Sequence, residues 1–311
     1  MSGGGQQDEE PAFNDQSVSF SLQSSVVAIV GLGLMGGSLA LALKQQRAAK
    51  KIIGISRSRA TLTAALAQGA VDDASNEIDA VRDADLIVLA TPVRTILRQL
   101  PRVGEIARDG ALVLDLGSTK RAITRAMDQL PVRLFAVGGH PMCGKETSGF
   151  EAADASLYEN KTFVLTPTAR SSPAALATAQ ELAQTLGSNV VVMDAERHDQ
   201  LVAAISHLPF VVASNLVNAV DDWANGESEV WKLAASGFRD TTRIAASDTD
   251  MMLDILLTNS ENVADLMRHY SRLFGELADL IYDEEEEPLR EKIKASAQAR
   301  SQLFREKDNR R

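Results

Sequence analysis

Short apolar runs punctuate the N-terminal part of the chain. Val26–Val30, Ile52–Ile55, Leu86–Leu89, Ala111–Leu114, Leu134–Val137, Thr162–Leu165 and Val190–Met193 are rich in Val, Ile and Leu and do not alternate with polar residues. Runs of that kind predict strands buried on both faces. Between them lie helix-like segments, among them Ser38–Lys44, Ala60–Leu66, Ile96–Ala107 and Ala174–Leu186. Repeated strand–helix alternation predicts a parallel, doubly wound α/β sheet with helices on both faces.

The pattern changes after Asp194. Strand-like runs nearly vanish, and helical spacing dominates in Leu201–Val217, Val230–Ala235, Met252–Leu257 and Val263–Tyr282. The acidic run Asp283–Glu287 precedes Pro288, and a last helix is expected to reach about Phe304. The acidic run reads as a solvated turn, because adjacent like charges cannot all converge on one ion. These shifts predict an α/β domain over 25–194 and an all-α domain over 195–311. Residues 1–24 are rich in Ser, Gly, Gln, Asp and Glu, and read as a disordered leader.

Composition narrows the class. The chain has 311 residues, enough for two domains, and a net charge of −10. That balance argues against a nucleic-acid partner, which needs a basic face. A single cysteine, Cys143, allows no intramolecular disulfide and fits a reducing, cytoplasmic setting. No secretory signal and no unbroken apolar run of about 18 residues is present, so no membrane partner is expected. The four histidines and one cysteine show no metal-ligand spacing, so no metal is expected.

The first predicted strand runs into Gly31-Leu32-Gly33-Leu34-Met35-Gly36, and a helix follows. In this context the glycines are a dinucleotide fingerprint of Rossmann type. Gly31 permits a tight turn, Gly33 lets backbone approach a pyrophosphate, and Gly36 lets the helix pack close to the strand. The second strand ends in Ser56-Arg57-Ser58, with no carboxylate to bind a ribose 2′-hydroxyl. Arg57 can pair with a 2′-phosphate, and the serines can donate to it. The cofactor expected is therefore NADP, with NAD as the alternative. Thr91-Pro92 follows another strand, at an edge where a nicotinamide contact is expected.

Two further segments follow buried strands: Asp115-Leu116-Gly117-Ser118-Thr119-Lys120 and Gly138-Gly139-His140-Pro141-Met142-Cys143-Gly144. Two more, Ser206-His207-Leu208-Pro209 and Gly237-Phe238-Arg239-Asp240-Thr241-Thr242-Arg243-Ile244-Ala245, are polar insertions in helical surroundings. With the glycine motif, these segments in this order resemble the prephenate/arogenate dehydrogenase family over about residues 26–300. The glycine motif fits many dehydrogenases, whereas the HPM-x-G and GFRDTTRIA segments are more discriminating.

The resemblance implies a dinucleotide-binding domain, a helical dimerisation domain and an active site in the cleft between them. It implies oxidative decarboxylation of a cyclohexadienol, prephenate or arogenate, by a homodimer working towards tyrosine. His140 matches the family histidine expected to act as base, and Ser118 the serine near it. Arg243 matches the arginine that holds the ring carboxylate. His207 matches the first histidine of an H-L-P-H pattern, whose second is replaced here by Phe210. That departure leaves prephenate versus arogenate open, with a slight lean to arogenate.

Each residue also has a plainer role open to it. His140 could bond backbone in a loop, His207 could be an interior helix contact, and Arg243 could pair with Asp240 or Asp248. His198, beside Asp199 at a helix start, reads as structural. Lys145 could attract a carboxylate or be solvated, and Cys143 reads as a packing residue. Two other functions stay open: a β-hydroxyacid dehydrogenase and a non-catalytic NADP sensor. The first needs a lysine with an asparagine four residues on, and Lys232 lacks it.

Overall fold

A computed structural model describes residues 21–145 and 147–308. Eight strands form one sheet: β1 (Val26–Val30), β2 (Lys51–Ile55), β3 (Asp73–Ser75), β4 (Leu86–Leu89), β5 (Leu112–Asp115), β6 (Phe135–Pro141), β7 (Thr162–Pro167) and β8 (Asn189–Val192). Their spatial order is β3-β2-β1-β4-β5-β6-β7-β8. The helices between them are α1 (Leu34–Gln46), α2 (Arg59–Ala67), α3 (Val93–Ile106), α4 (Arg121–Asp128) and α5 (Pro173–Thr185). The sheet is the doubly wound Rossmann type expected from the pattern, and each of the seven predicted apolar runs overlaps a strand to within one residue.

Alternate residues of each strand serve opposite faces. Val27 and Ile29 pack with Leu39 and Leu43 of α1 and Leu182 of α5. Ala28 and Val30 pack with Ile96, Leu100 and Val103 of α3 and Ile123 and Met127 of α4. Burial on both faces is why the strands read as unbroken apolar runs. Each fully buried aliphatic side chain contributes roughly 1.5–3 kcal/mol.

Three features depart from the sequence expectation. First, β7 pairs antiparallel with β6, so the sheet is parallel only from β3 to β6, with β7 and β8 parallel to each other. Among the described residues, the connection from β6 to β7 holds a single 3-10 turn, Phe150–Ala152, and no crossover helix to return the chain. Second, β8 is an edge strand whose Val191 and Val192 are exposed, rather than buried on both faces. Third, Leu22–Ser24, assigned above to the leader, form a 3-10 turn with Leu22 buried in the core, so order begins before residue 25. The rest of the leader, residues 1–20, lies outside the described residues.

The C-terminal part is helical: α6 (Ala195–Val202), a π-helical turn (Ala203–His207), α7 (Leu208–Ala224), α8 (Glu229–Leu233), α9 (Ser236–Thr242), a 3-10 turn (Arg243–Ala246), α10 (Thr249–Thr258), α11 (Ser260–Tyr282) and α12 (Glu286–Asp308). The chain separates into two compact units. One runs to Gln200 and takes in Ala246–Thr258; the other comprises Leu201–Ala245 and the residues from Asn259 onwards. Helix α10 thus belongs with the sheet, where the Asp254 carboxylate accepts the Arg94 amide at the start of α3 (3.0 Å). From Ala195 to Ala224 the helical run is long and apolar enough, by length and composition, to cross a membrane. The sequence expectation counted unbroken apolar residues, and Ser206, His207, Ser214, Asn215 and Asn218 interrupt this run.

Candidate functional site

The parallel strands set the geometry. Read across the sheet as β2, β1, β4, β5, β6, their carboxyl ends carry Ser56–Ser58, Gly31–Gly36, Thr91–Pro92, Ser118 and His140 in turn. Five segments scattered over 110 residues of sequence, from Gly31 to His140, therefore line one edge, about 19 Å long at roughly 4.8 Å per strand. The order reverses between β1 and β4, and open α/β sheets bind ligands at such a switch point.

The glycine turn is shaped for a dinucleotide. Gly31 has φ +101°, and a Cβ there would lie 2.7 Å from the Ala90 carbonyl and 2.8 Å from Thr91 Cγ2. Thr91 thus sits against the turn, and its hydroxyl donates to Gln99 Oε1 at 2.8 Å. A Cβ on Gly36 would stand 1.9 Å from the Gly31 carbonyl oxygen, whereas one on Gly33 would meet nothing within 4 Å. Gly33 caps α1 and faces open space, where a pyrophosphate can approach the first-turn N–H groups of a helix that has no acidic residue in that turn. Leu32 is buried, while Leu34 and Met35 begin the helix. A Gly36→Ala chain should accordingly lose about 1–3 kcal/mol of stability through backbone overlap. A Gly33→Ala chain should melt as the wild type but bind dinucleotide more weakly. Thermal melts with and without NADP separate the two effects.

At the end of β2, the Ser56 amide donates to the Ser75 carbonyl (3.1 Å) and Ser58 caps α2, accepting the Thr61 amide at 3.2 Å. Arg57 is exposed.

The loop after β5 is organised by a buried ion pair. Lys120 Nζ donates to Asp115, and both side chains are fully buried. Asp115 also accepts the Gly117 amide (2.7 Å) and, across the sheet, the Gly139 amide (3.1 Å). One carboxylate therefore ties the backbone beside Ser118 to the backbone beside His140. Burial pushes Asp115 up from the ordinary carboxylate value and pushes Lys120 down, each against the pull of its partner. Lysines are rarely fully buried, so nothing in the residue pattern marks this one as internal.

His140 is half-buried at the end of β6. Its Nδ1 lies 2.8 Å from His198 Nε2, with the two rings edge to face. His198 Nδ1 lies 2.8 Å from Asp199 Oδ1. His198 and Asp199 are buried on α6, and Asp199 accepts the Lys120 amide (2.7 Å) and the Arg121 amide (2.9 Å) at the start of α4. His198, read as structural from the sequence, thus has its ring bonded to His140. An adjacent His-Asp just after the last strand was the available signal.

Two nearby residues take plain roles. Lys145 donates to Asp154 Oδ2 (3.0 Å) and to the Ala152 carbonyl (3.3 Å), so its charge is matched within its own loop. That contact holds Asp154 down at about 2. Burial pushes the Cys143 thiol up to about 11 against the influence of Lys161, which leaves it protonated at neutral pH, as suits a packing residue.

The helical unit carries the other two expected residues. His207 is buried at the end of the π-helical turn, a distortion frequent at functional sites. Its Nδ1 lies 3.2 Å from Asn259 Nδ2, and Asn259 Oδ1 accepts Asn262 Nδ2 at 2.8 Å. That bonding fixes the Asn259 amide as donor, so His207 Nδ1 accepts and its Nε2 carries the proton. Arg243 is exposed and opens the 3-10 turn after α9. Phe210 is half-buried on the first turn of α7, and Arg239 pairs with Asp240 at the surface (3.6 Å).

Fold and site together define a dinucleotide-binding oxidoreductase with a helical second unit. The prephenate dehydrogenase nucleotide-binding domain matches residues 39–192, and the prephenate dehydrogenase dimerization domain matches residues 194–295. Prephenate dehydrogenase of Bacillus subtilis (strain 168) is 38% identical over 85% of this chain and 72% of its own length. The crystal structure of Aquifex aeolicus prephenate dehydrogenase with hydroxyphenyl propionate and NAD+ superposes with a TM-score of 0.85. Its identity is 34%, over 91% of this chain and 100% of that one. Synechocystis arogenate dehydrogenase gives a TM-score of 0.78 at 31% identity, over 89% of this chain and 99% of that one. The chain belongs to the prephenate/arogenate dehydrogenase family, nicotinamide-dependent oxidoreductases that carry out oxidative decarboxylation. The β-hydroxyacid dehydrogenase alternative is thereby set aside.

Proposed function

We propose that the chain oxidises and decarboxylates prephenate or arogenate, with His140 as the base. The observation that carries this is the order of segments along the sheet edge, from Ser56–Ser58 through the glycine turn to a histidine tied to a buried carboxylate. The dinucleotide, when bound, supplies the hydride acceptor for the ring carbinol carbon.

The chain's own residues handle the proton and the charges. His140 takes the proton of the ring hydroxyl as the carbinol becomes a carbonyl. The ring carbon then loses CO2, the electron pair of the broken bond makes the ring aromatic, and the phenol oxygen recovers a proton that the same imidazole can return. Ser118 orients the hydroxyl towards His140. Arg243 holds the ring carboxylate by a charge-assisted bond, and it must grip the transition state more firmly than the bound acid. His207, with Nε2–H as donor, suits the polar end of the substrate side chain. Turnover argues directly against a non-catalytic sensor, and its detection is the first test.

The finer preferences rest on two departures. Ser56-Arg57-Ser58 offers donors and a guanidinium where a carboxylate would select NAD, so the cofactor proposed is NADP. An Arg57→Ala enzyme should lose about 1.5–3 kcal/mol of NADP interaction, roughly 10–100-fold in kcat/KM, with NAD kinetics changed less than twofold. A wild-type preference for NAD would overturn the proposal. Phe210, in place of a second histidine, removes a donor and favours arogenate slightly. Rates with both substrates in one assay decide it. The proposed assembly is a homodimer in the cytoplasm, formed through the helical unit, where the apolar surface of the Ala195–Ala224 run would meet a second copy.

A further inference from the structure

We infer that His198 and Asp199 form a relay that fixes the tautomer of His140, making Nε2 its basic atom. The inference rests on His140 being the base, as proposed above. No family segment in the sequence pointed to it; the geometry does.

The argument starts at the buried end. Asp199 accepts two backbone amides at the start of α4, at 2.7 and 2.9 Å, where the helix also presents its positive end. Burial opposes its ionisation, but the bonds from His198 and from the Arg121 and Lys120 amides outweigh burial and keep its pKa below the ordinary carboxylate value. An ionised carboxylate only accepts, so His198 must donate to it from Nδ1. A neutral imidazole that donates at Nδ1 accepts at Nε2. The atom 2.8 Å from His198 Nε2 is His140 Nδ1, which must therefore carry the proton. The lone pair of His140 is left on Nε2. When His140 gains the substrate proton, its new charge is felt through His198 by a carboxylate two rings away. His198 is a positioning residue here. It is 1% exposed, so water does not compete for its ring.

A plain packing role predicts none of this and can be told apart. The chain has only four histidines, so selective 15N labelling of histidine gives a readable two-bond 1H–15N spectrum. The His140 signals are assigned as those lost in His140→Asn. At a pH where both rings are neutral, His140 is expected as the Nδ1–H tautomer in the wild type and as largely Nε2–H in His198→Phe. Steady-state rates give the second readout. His198→Phe should lower kcat by about 10²-fold, with KM for NADP within about twofold of wild type. His198→Gln, whose amide can accept from His140 and donate to Asp199, should recover part of that loss, and it serves if the Phe variant fails to fold. An Nε2–H tautomer in the wild type overturns the relay. So does a His198→Gln enzyme as impaired as His198→Phe, or a His198→Phe enzyme with wild-type kcat. Should His140→Asn itself keep wild-type kcat, the base assignment fails; should it be inactive while His198→Phe is not, only the relay does.

Discussion

Turnover by a His140→Asn enzyme should fall about 10³-fold while dinucleotide affinity stays within twofold. A positioned general base contributes roughly 10²–10⁴ in rate, or about 3–5 kcal/mol of barrier at 1.36 kcal/mol per decade. Asparagine keeps a polar group of similar reach but cannot take a proton near neutral pH. Binding should survive because His140 stands at the end of β6, three strands from the glycine turn that follows β1. At about 4.8 Å per strand that is roughly 14 Å. Single-turnover mixing with prephenate and with arogenate, beside a fluorescence titration with NADPH, measures both quantities. A kcat within tenfold of wild type would move the base elsewhere.

The sheet was legible because strands buried on both faces leave a compositional trace that does not depend on context. Val27 and Ile29 face one helix layer and Ala28 and Val30 the other, so no polar residue interrupts the run. Where that condition lapses, the trace lapses too. β3 is Asp73-Ala74-Ser75 at the sheet edge, and no apolar pattern announced it. The reversal at β7 depends on what the β6–β7 connection lacks, and periodicity does not report direction.

Site residues divide in a similar way. Those on the dinucleotide turn were visible because glycine at Gly31 and Gly36 answers a local steric demand. Those that hold the site were not. Asp115 and Lys120 lie five residues apart, but their joint burial follows from the strands either side. Asp199 reaches the amides of Lys120 and Arg121 from 78 or 79 residues away. Pairings over that distance are products of the fold. The His207 orientation, set by Asn259, is of the same kind, and 52 residues separate the two.

The buried pair also carries the largest stability effect expected outside the hydrophobic core. Lys120→Met removes the only side chain that donates to Asp115 among the described residues, leaving a carboxylate with no exposure and two amide partners. Breaking a buried ion pair from one side costs about 3–5 kcal/mol. Burial already pushes the Asp115 pKa upwards. With Lys120 gone the carboxyl is expected to neutralise by taking a proton, which weakens the bonds from Gly117 and Gly139. The damage should therefore spread to Ser118 and His140, which those glycines precede by one residue. Urea unfolding should show the lower midpoint, and kcat should fall further than the loss of folded protein accounts for. Asp115→Asn combined with Lys120→Met removes both charges, but the single amide oxygen can accept only one of the two backbone amides, which reach different oxygens of Asp115. It should recover part of the lost stability, because neutral replacements of buried pairs are often close to neutral. A single Lys120→Met chain as stable as wild type would mean that the pair is reached by water, and that Asp115 holds the two loops without it.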